Sequence, residues 1–167
     1  MKIKRLRIFD FDDTLVKTRS FVYVKNGNKT KKLTPGEYAI YEEKPGDEFD
    51  YSDFEFVKNP KEIKQMTKVL KAILNKGAGS INILTARSNY KPIRKYLKDI
   101  NIDISRIYVA ALASNDPADK VNWIKNKIEN ESYNDIFYVD DSLKNINAAK
   151  EMLNKTKVKW RVQHVKY

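Results

Sequence analysis

The chain has no cysteine in its 167 residues. Disulfides, thiol nucleophiles and cysteine zinc sites are therefore excluded together. It has one histidine, His164, close to the C-terminus, so a histidine-based triad or a multi-histidine metal site is excluded as well. No apolar run approaches the ~20 residues that cross a bilayer. The basic start Met1-Lys2-Ile3-Lys4-Arg5 is not followed by a signal-peptide core before Asp10. A cytoplasmic protein with no membrane partner is the expectation. Any catalysis has to rest on carboxylates, lysine, arginine, hydroxyls and a metal ion.

What is present describes a globular chain. The hydrophobic fraction is 41%, with seven Phe and two Trp, and 167 residues fit one domain, 1–167, with a core of its own. The formal net charge is +11. Such an excess attracts polyanions and anionic substrates, which supports a phosphate-bearing or nucleic-acid partner. Against this, the lysines are scattered along the chain instead of forming one tract, and abundant Lys, Asn and Ile are also what AT-rich coding produces.

The stretch that organises the chain is Arg7-Ile8-Phe9-Asp10-Phe11-Asp12-Asp13-Thr14-Leu15. An apolar run over 3–11 reads as the first strand, buried through Ile3, Leu6, Ile8, Phe9 and Phe11. Asp10 and Asp12, spaced i, i+2, fall on one face of it, and Asp13 points elsewhere. Paired carboxylates repel unless something neutralises them. A hard cation such as Mg²⁺ does so through oxygen ligands, and an aspartate can act as a nucleophile toward phosphorus. An acidic turn closing a strand is the plainer alternative.

Further along, Asn26-Gly27 between extended arms predicts a hairpin over 21–33. Thr34-Pro35-Gly36-Glu37 predicts a capping box and a short helix to about Glu43. Residues 16–58 hold 8 of the 19 aromatics, which argues for a small folded insertion, with those rings as its own core in preference to a base-stacking platform. Asn59-Pro60 is expected to open a long helix that Gly77 ends. Short apolar strands follow at Ser80–Thr85, Arg106–Ala111, Ile136–Val139 and Val158–Val162, with helices at Asn89–Lys98, Asp119–Asn130 and Ser142–Leu153 between them. The alternation predicts an α/β fold, a parallel sheet with helices on its faces. Strand ends then bring Asp10 and Asp12, Thr85 and Arg87, and Asp140 and Asp141 to one edge, where open α/β sheets bind ligands.

With those residues in order, the chain resembles the haloacid dehalogenase superfamily of phosphohydrolases. Asp10-Phe11-Asp12-Asp13-Thr14, Thr85, Lys120 and Asp140-Asp141 match its four motifs in sequence. The resemblance implies a Rossmann-type sheet with the 16–58 insertion as a small hairpin-plus-helix cap, and a Mg²⁺-dependent phosphatase. It implies Asp10 as nucleophile and Asp12 as proton donor and acceptor. Mg²⁺ would be held by Asp10, the Asp12 backbone carbonyl and a motif-four acid, Asp141 in preference to Asp140. Thr85 would bond a phosphate oxygen and Lys120 would neutralise the transferring group. Taken alone, Thr85 reads equally as a strand-end cap and Lys120 as one of 33 basic residues.

Two spacings, Asp116 four residues before Lys120 and Arg87 two after Thr85, resemble the phosphatase domain of polynucleotide kinase–phosphatases. That likeness implies a nucleotide or a nucleic-acid 3′-phosphate end as substrate, Arg87 gripping phosphate, Asp116 bracing Lys120 and Arg19 as a third basic contact. Arg87 as an ordinary surface residue, a small-metabolite phosphatase and an idle nucleic-acid-binding protein on the same fold are the competing readings. These 167 residues carry no phosphate-cradling Gly-rich loop or kinase segment. A small cap implies an open site.

Overall fold

Ten strands and five helices make up a computed structural model that describes residues 2–77 and 79–166. In chain order they are β1 (Arg5–Phe9), β2 (Val16–Lys17), β3 (Val22–Asn26), β4 (Lys29–Leu33), α1 (Pro35–Ile40), β5 (Glu48–Asp50), β6 (Lys61–Glu62), α2 (Lys64–Lys76), β7 (Ser80–Thr85), α3 (Lys91–Asp99), β8 (Ile107–Ala111), α4 (Pro117–Glu131), β9 (Asp135–Asp140), α5 (Leu143–Asn154) and β10 (Lys159–His164). The main sheet has the order β10-β9-β1-β7-β8, and every pairing in it is parallel. No helix among the described residues is long and apolar enough to cross a membrane.

Alternation along β1 divides the core. Phe9 faces a cluster with Met66 and Leu70 of α2 and Ile93, Tyr96 and Leu97 of α3. Leu6 and Ile8 face a second cluster with Ile124 of α4 and Ile146, Ala149 and Leu153 of α5. The sheet is thus sandwiched between an α2–α3 layer and an α4–α5 layer, the arrangement of a Rossmann-like α/β fold. Chain order runs outward from β1 through β7 to β8, then returns across to β9 beside β1. Ligands gather at such a reversal, at the carboxyl ends of the strands.

Several boundaries differ from the expectation for physical reasons. Strand β1 starts at Arg5, and Ile3, expected inside, is 59% exposed. The long helix begins at Lys64, not at Pro60, because Lys61 and Glu62 pair with Lys17 and Val16. That pair closes a neck below the segment between β1 and α2, so the insertion reaches past residue 58. Its hairpin and its capping box on Thr34 are as expected. A third strand, β5, and a 3₁₀ turn at Ser52–Glu55 are added. Tyr38, Tyr41, Phe49, Tyr51 and Phe54 pack edge-on or stacked on one another, so five of the eight rings form a local cluster. Gly77 ends α2 with φ 64, a conformation that costs glycine little.

Candidate active site

At the carboxyl end of β1 the backbone leaves the sheet after Asp10, whose N–H still bonds the Val139 carbonyl at 2.9 Å. A turn through Asp13, at φ 62, brings Thr14 back, and short-chain acids tolerate that conformation best among non-glycines. The Thr14 hydroxyl donates to Asp10 Oδ2 at 2.8 Å and to Asp141 Oδ1 at 3.3 Å. It anchors the turn and ties β1 to the end of β9. Asp13 lies in the turn itself, and a Cβ on Gly36 would come within 2.9 Å of its Oδ2, so α1 rests directly on this turn.

Asp10, Asp140 and Asp141 converge: each offers an oxygen, and those oxygens lie within 4.8 Å of one another. Lys120, on the first turns of α4, reaches into the group from the α4–α5 layer. Its Nζ donates to Asp10 Oδ1 at 2.9 Å and to Asp140 Oδ2 at 3.0 Å. Asp140 is saturated. It also accepts from the Tyr138 hydroxyl, from Ser142 N at 2.9 Å and from Asn145 Nδ2 at 3.0 Å. Asp141 has one Thr14 contact and the Asp10 carboxyl, and its backbone carbonyl meets His164 Nε2 at 2.8 Å.

The electrostatics follow from burial and these neighbours. Burial, then repulsion from Asp140, pushes Asp10 up to about 6. Burial, then Asp10, pushes Asp141 up to about 10. For Asp140 burial is outweighed by Lys120 and the Tyr138 and Ser142 bonds, and its carboxyl stays below the usual range. For Lys120 burial is likewise outweighed by the two carboxylates, so the ammonium is held more firmly than usual. Asp140 and Lys120 are therefore a fixed charge pair, while Asp10 and Asp141 repel each other, a repulsion that a cation would relieve.

Asp12 does not join that cluster. Its two oxygens accept from Arg87 Nε at 2.8 Å and Nη2 at 2.9 Å, a bidentate fork. Arg87 is 1% exposed, which rules out the surface reading. Its Nη1 donates to the Phe54 and Phe56 carbonyls at 3.1 and 2.9 Å, and its guanidinium lies over the Phe54 ring at 4.5 Å. Four of its five guanidinium N–H groups are directed at Asp12 and the insertion, so in this arrangement Arg87 serves them instead of the phosphate grip expected of it. Arg87 ties the acid of one segment to the backbone of another. Thr85, 1% exposed, accepts from Arg87 N at 3.1 Å and borders the same cavity as the acids.

Two other expectations fail. Arg19 is exposed and borders no part of this cavity; its guanidinium lies over Phe21 at 5.6 Å. Asp116 does border the cavity, but it caps α4, accepting from Ala118 N at 2.9 Å, while Lys120 is braced by Asp10 and Asp140. Four residues along a helix place Asp116 a turn away, but Lys120 points to the sheet.

No family model, curated protein or solved structure matches the chain. The site therefore has to be read from its own geometry. Above the acids, Pro35, Tyr38 and Ala39 of α1, with Phe54, Ser114 and Asn115, wall a cavity of about 30 Å³, room for a water or two. Asn115 Nδ2 donates to the Tyr38 and Tyr41 carbonyls at 2.7 and 3.2 Å, pinning α1 over the site. The open site expected of a small insertion is instead nearly filled, because α1 has these main-chain acceptors to offer. The sequence reading missed Tyr138, Asn145 and Asn115. Tyr138 was findable, since i, i+2 spacing on β9 puts it on the face of Asp140.

Proposed function

We propose that the chain is a Mg²⁺-dependent phosphomonoesterase of the haloacid dehalogenase type, working through an aspartyl-phosphate on Asp10. The observation that carries this reading is the meeting of Asp10, Asp141 and the Lys120–Asp140 pair at one sheet edge. The donor set fits a hard divalent cation, being oxygens alone, with a repulsion between Asp10 and Asp141 for a cation to relieve. Asp10, Asp141 and the Asp12 carbonyl would hold it. Asp140, bonded to Lys120, Tyr138, Ser142 and Asn145, is better suited to hold Lys120. When bound, the ion supplies charge neutralisation between a carboxylate nucleophile and an anionic phosphate.

The protein's own groups account for the remaining steps. An Asp10 carboxylate oxygen attacks phosphorus, and the ester P–O bond breaks as Asp12 gives the leaving oxygen a proton. Water then attacks the phosphoaspartate, Asp12 takes a proton back, and phosphate and free Asp10 result. Both Asp12 oxygens accept from Arg87 here, so service as an acid needs one of those bonds to give way. Lys120 offsets the growing negative charge and fixes Asp10. Thr85 has its hydroxyl proton to offer a phosphate oxygen.

The substrate we favour is a nucleotide or a nucleic-acid terminal phosphate, in keeping with the net charge of +11. The narrow cavity favours a second reading, a small phosphorylated metabolite. Hydrolysis of an aryl phosphate with Mg²⁺ tests the class: Asp10→Asn is expected to lower kcat roughly 10³-fold or more, and retained activity would overturn the proposal. A panel of 3′- and 5′-phosphorylated oligonucleotides, mononucleotides and sugar phosphates then separates the two substrates.

A further inference from the structure

Helices α2 and α3 carry eight basic residues and one acid, Asp99. On the opposite side of the sheet α4 and α5 carry five basic residues and four acidic ones. The lysines that look scattered in the sequence are gathered by the fold. Lys64, Lys68 and Lys71 stand at i, i+4, i+7 on α2, and Lys91, Lys95 and Lys98 repeat that spacing on α3. All six are exposed, while Met66 and Leu70, and Ile93 and Leu97, face the sheet. Each stripe therefore runs along the outer side of its helix.

Among the described residues, the one ion pair on either helix is Lys95–Asp99. A surface charged only for solubility alternates signs, as α4 does with Lys125–Glu129 and Lys127–Glu131. Like charges at i, i+4 instead cost a helix about 0.2–0.5 kcal/mol a pair. An anion laid along the stripe removes that cost.

The stripes point toward the catalytic edge. Both helices begin there, after β1 and β7 deliver their residues, so Lys64 and Lys91 are nearest the site. Beside them Phe56 is 61% and Tyr90 is 48% exposed. Phe56 shares a groove with Pro92 and Lys95 of α3, and its carbonyl accepts from Arg87, which holds Asp12.

We infer that the α2–α3 face, from Phe56 and Tyr90 along the two lysine stripes, is a docking surface for single-stranded nucleic acid. Stacked bases on exposed rings combined with a positive track are how strands are bound without sequence preference. An anionic membrane fits less well: apart from Phe56 and Tyr90 no large apolar side chain of this face is exposed, and two rings without an apolar helix face offer little surface to enter a bilayer. The surface is independent of the hydrolase reading. Where it bears on substrate it rests on that reading, and makes the substrate a strand whose end reaches Asp10.

The test is fluorescence anisotropy with a labelled single-stranded oligonucleotide that ends in a 3′-hydroxyl. Replacing Lys68, Lys71, Lys91 and Lys98 by Gln should weaken binding about tenfold or more at about 0.1 M salt and reduce the salt slope by roughly 3. Replacing Lys125, Lys127, Lys150 and Lys155 by Gln on the other face should leave both unchanged. Equal losses from the two quartets, or none from the first, overturn the inference. So does binding of phosphatidylserine vesicles, but not of the oligonucleotide, that depends on the first quartet. Aryl phosphate hydrolysis measured on the same variants keeps the proposals apart. It should be unaltered by the first quartet, and its absence from the wild-type protein with strand binding intact would remove the hydrolase reading alone.

Discussion

The two helical layers use lysine in opposite ways. In the α4–α5 layer Lys120 turns inward, buried, and is held by Asp10 and Asp140, while the outer lysines alternate with glutamates. In the α2–α3 layer the lysines face outward in stripes with a single acid among them. Lysine is thus placed in two ways, separated by the sheet. One layer fixes a carboxylate cluster, and the other carries the positive charge that the proposed strand would meet. Net charge alone, being a sum over both, reveals neither.

The largest break in that comparison comes from removing one lysine in each layer. Lys120→Ala leaves the buried Asp10 and Asp140 and the half-buried Asp141 facing one another, and losing one member of a buried pair costs about 3–5 kcal/mol. For a chain of this size that is a fall in Tm of roughly 6–20 °C. Lys68→Ala should stay within about 0.5 kcal/mol of wild type. Thermal melts of the two variants check this, and similar losses would mean that the layers do not differ in kind.

A smaller effect, of opposite sign, belongs to Asp141. Its carboxyl is raised by burial and by Asp10, so the folded state holds a proton that the unfolded chain releases. Such a group contributes fully below the ordinary carboxylate pKa and loses its contribution as pH rises toward its raised value. Without divalent cation, Asp141→Asn should therefore be more stable than wild type at pH 8, by about 1 kcal/mol or more, or about 2–4 °C. The gain should vanish near pH 4. Saturating Mg²⁺ should reverse the order, because ligand stabilises only the chain that binds it, by about 2.7 kcal/mol at a hundredfold excess over Kd. Melts at both pH values, with and without Mg²⁺, read the sign directly.

Much of this was legible in the sequence because it depends on local rules. Short apolar runs alternating with helices predicted the parallel strands, and Thr34 with Glu37 the start of α1. Asp10, Thr85 and Asp141 could be placed at one edge because parallel strands deliver their ends together, whereas Lys120, on a helix, was placed there only by the resemblance. What was not legible needed tertiary pairing. The β2–β6 neck moved the start of α2, and no local signal in Lys61-Glu62 announces it. Arg87 looked like a phosphate ligand or a surface residue, and its burial follows from the Phe54 and Phe56 carbonyls brought to it by the insertion. Asn115 closes α1 over the site through acceptors 74 and 77 residues away. The lysine stripes combine both levels: the i, i+4, i+7 spacing is in the sequence twice, but two helices on one side of one sheet make it a surface.

The smallest expected effect separates the two surfaces most cleanly. Lys68→Glu replaces repulsion from Lys64 and Lys71 with attraction, and each such pair on a helix is worth about 0.2–0.5 kcal/mol. Stability should rise by about 0.5–1 kcal/mol while oligonucleotide affinity falls. Lys125→Glu does the reverse on α4, where it sets a like charge four residues before Glu129. It should lower stability by a few tenths of a kcal/mol and leave affinity alone. At about 1 M salt both stability changes should fade, since screening at that ionic strength reaches about 3 Å. Stability and binding move in opposite directions only where a surface is kept at a cost to the fold for the sake of a ligand. A Lys68→Glu protein that melts lower than wild type at low salt would show that the α2 lysines do not repel one another, and would leave the two layers alike on their outer sides.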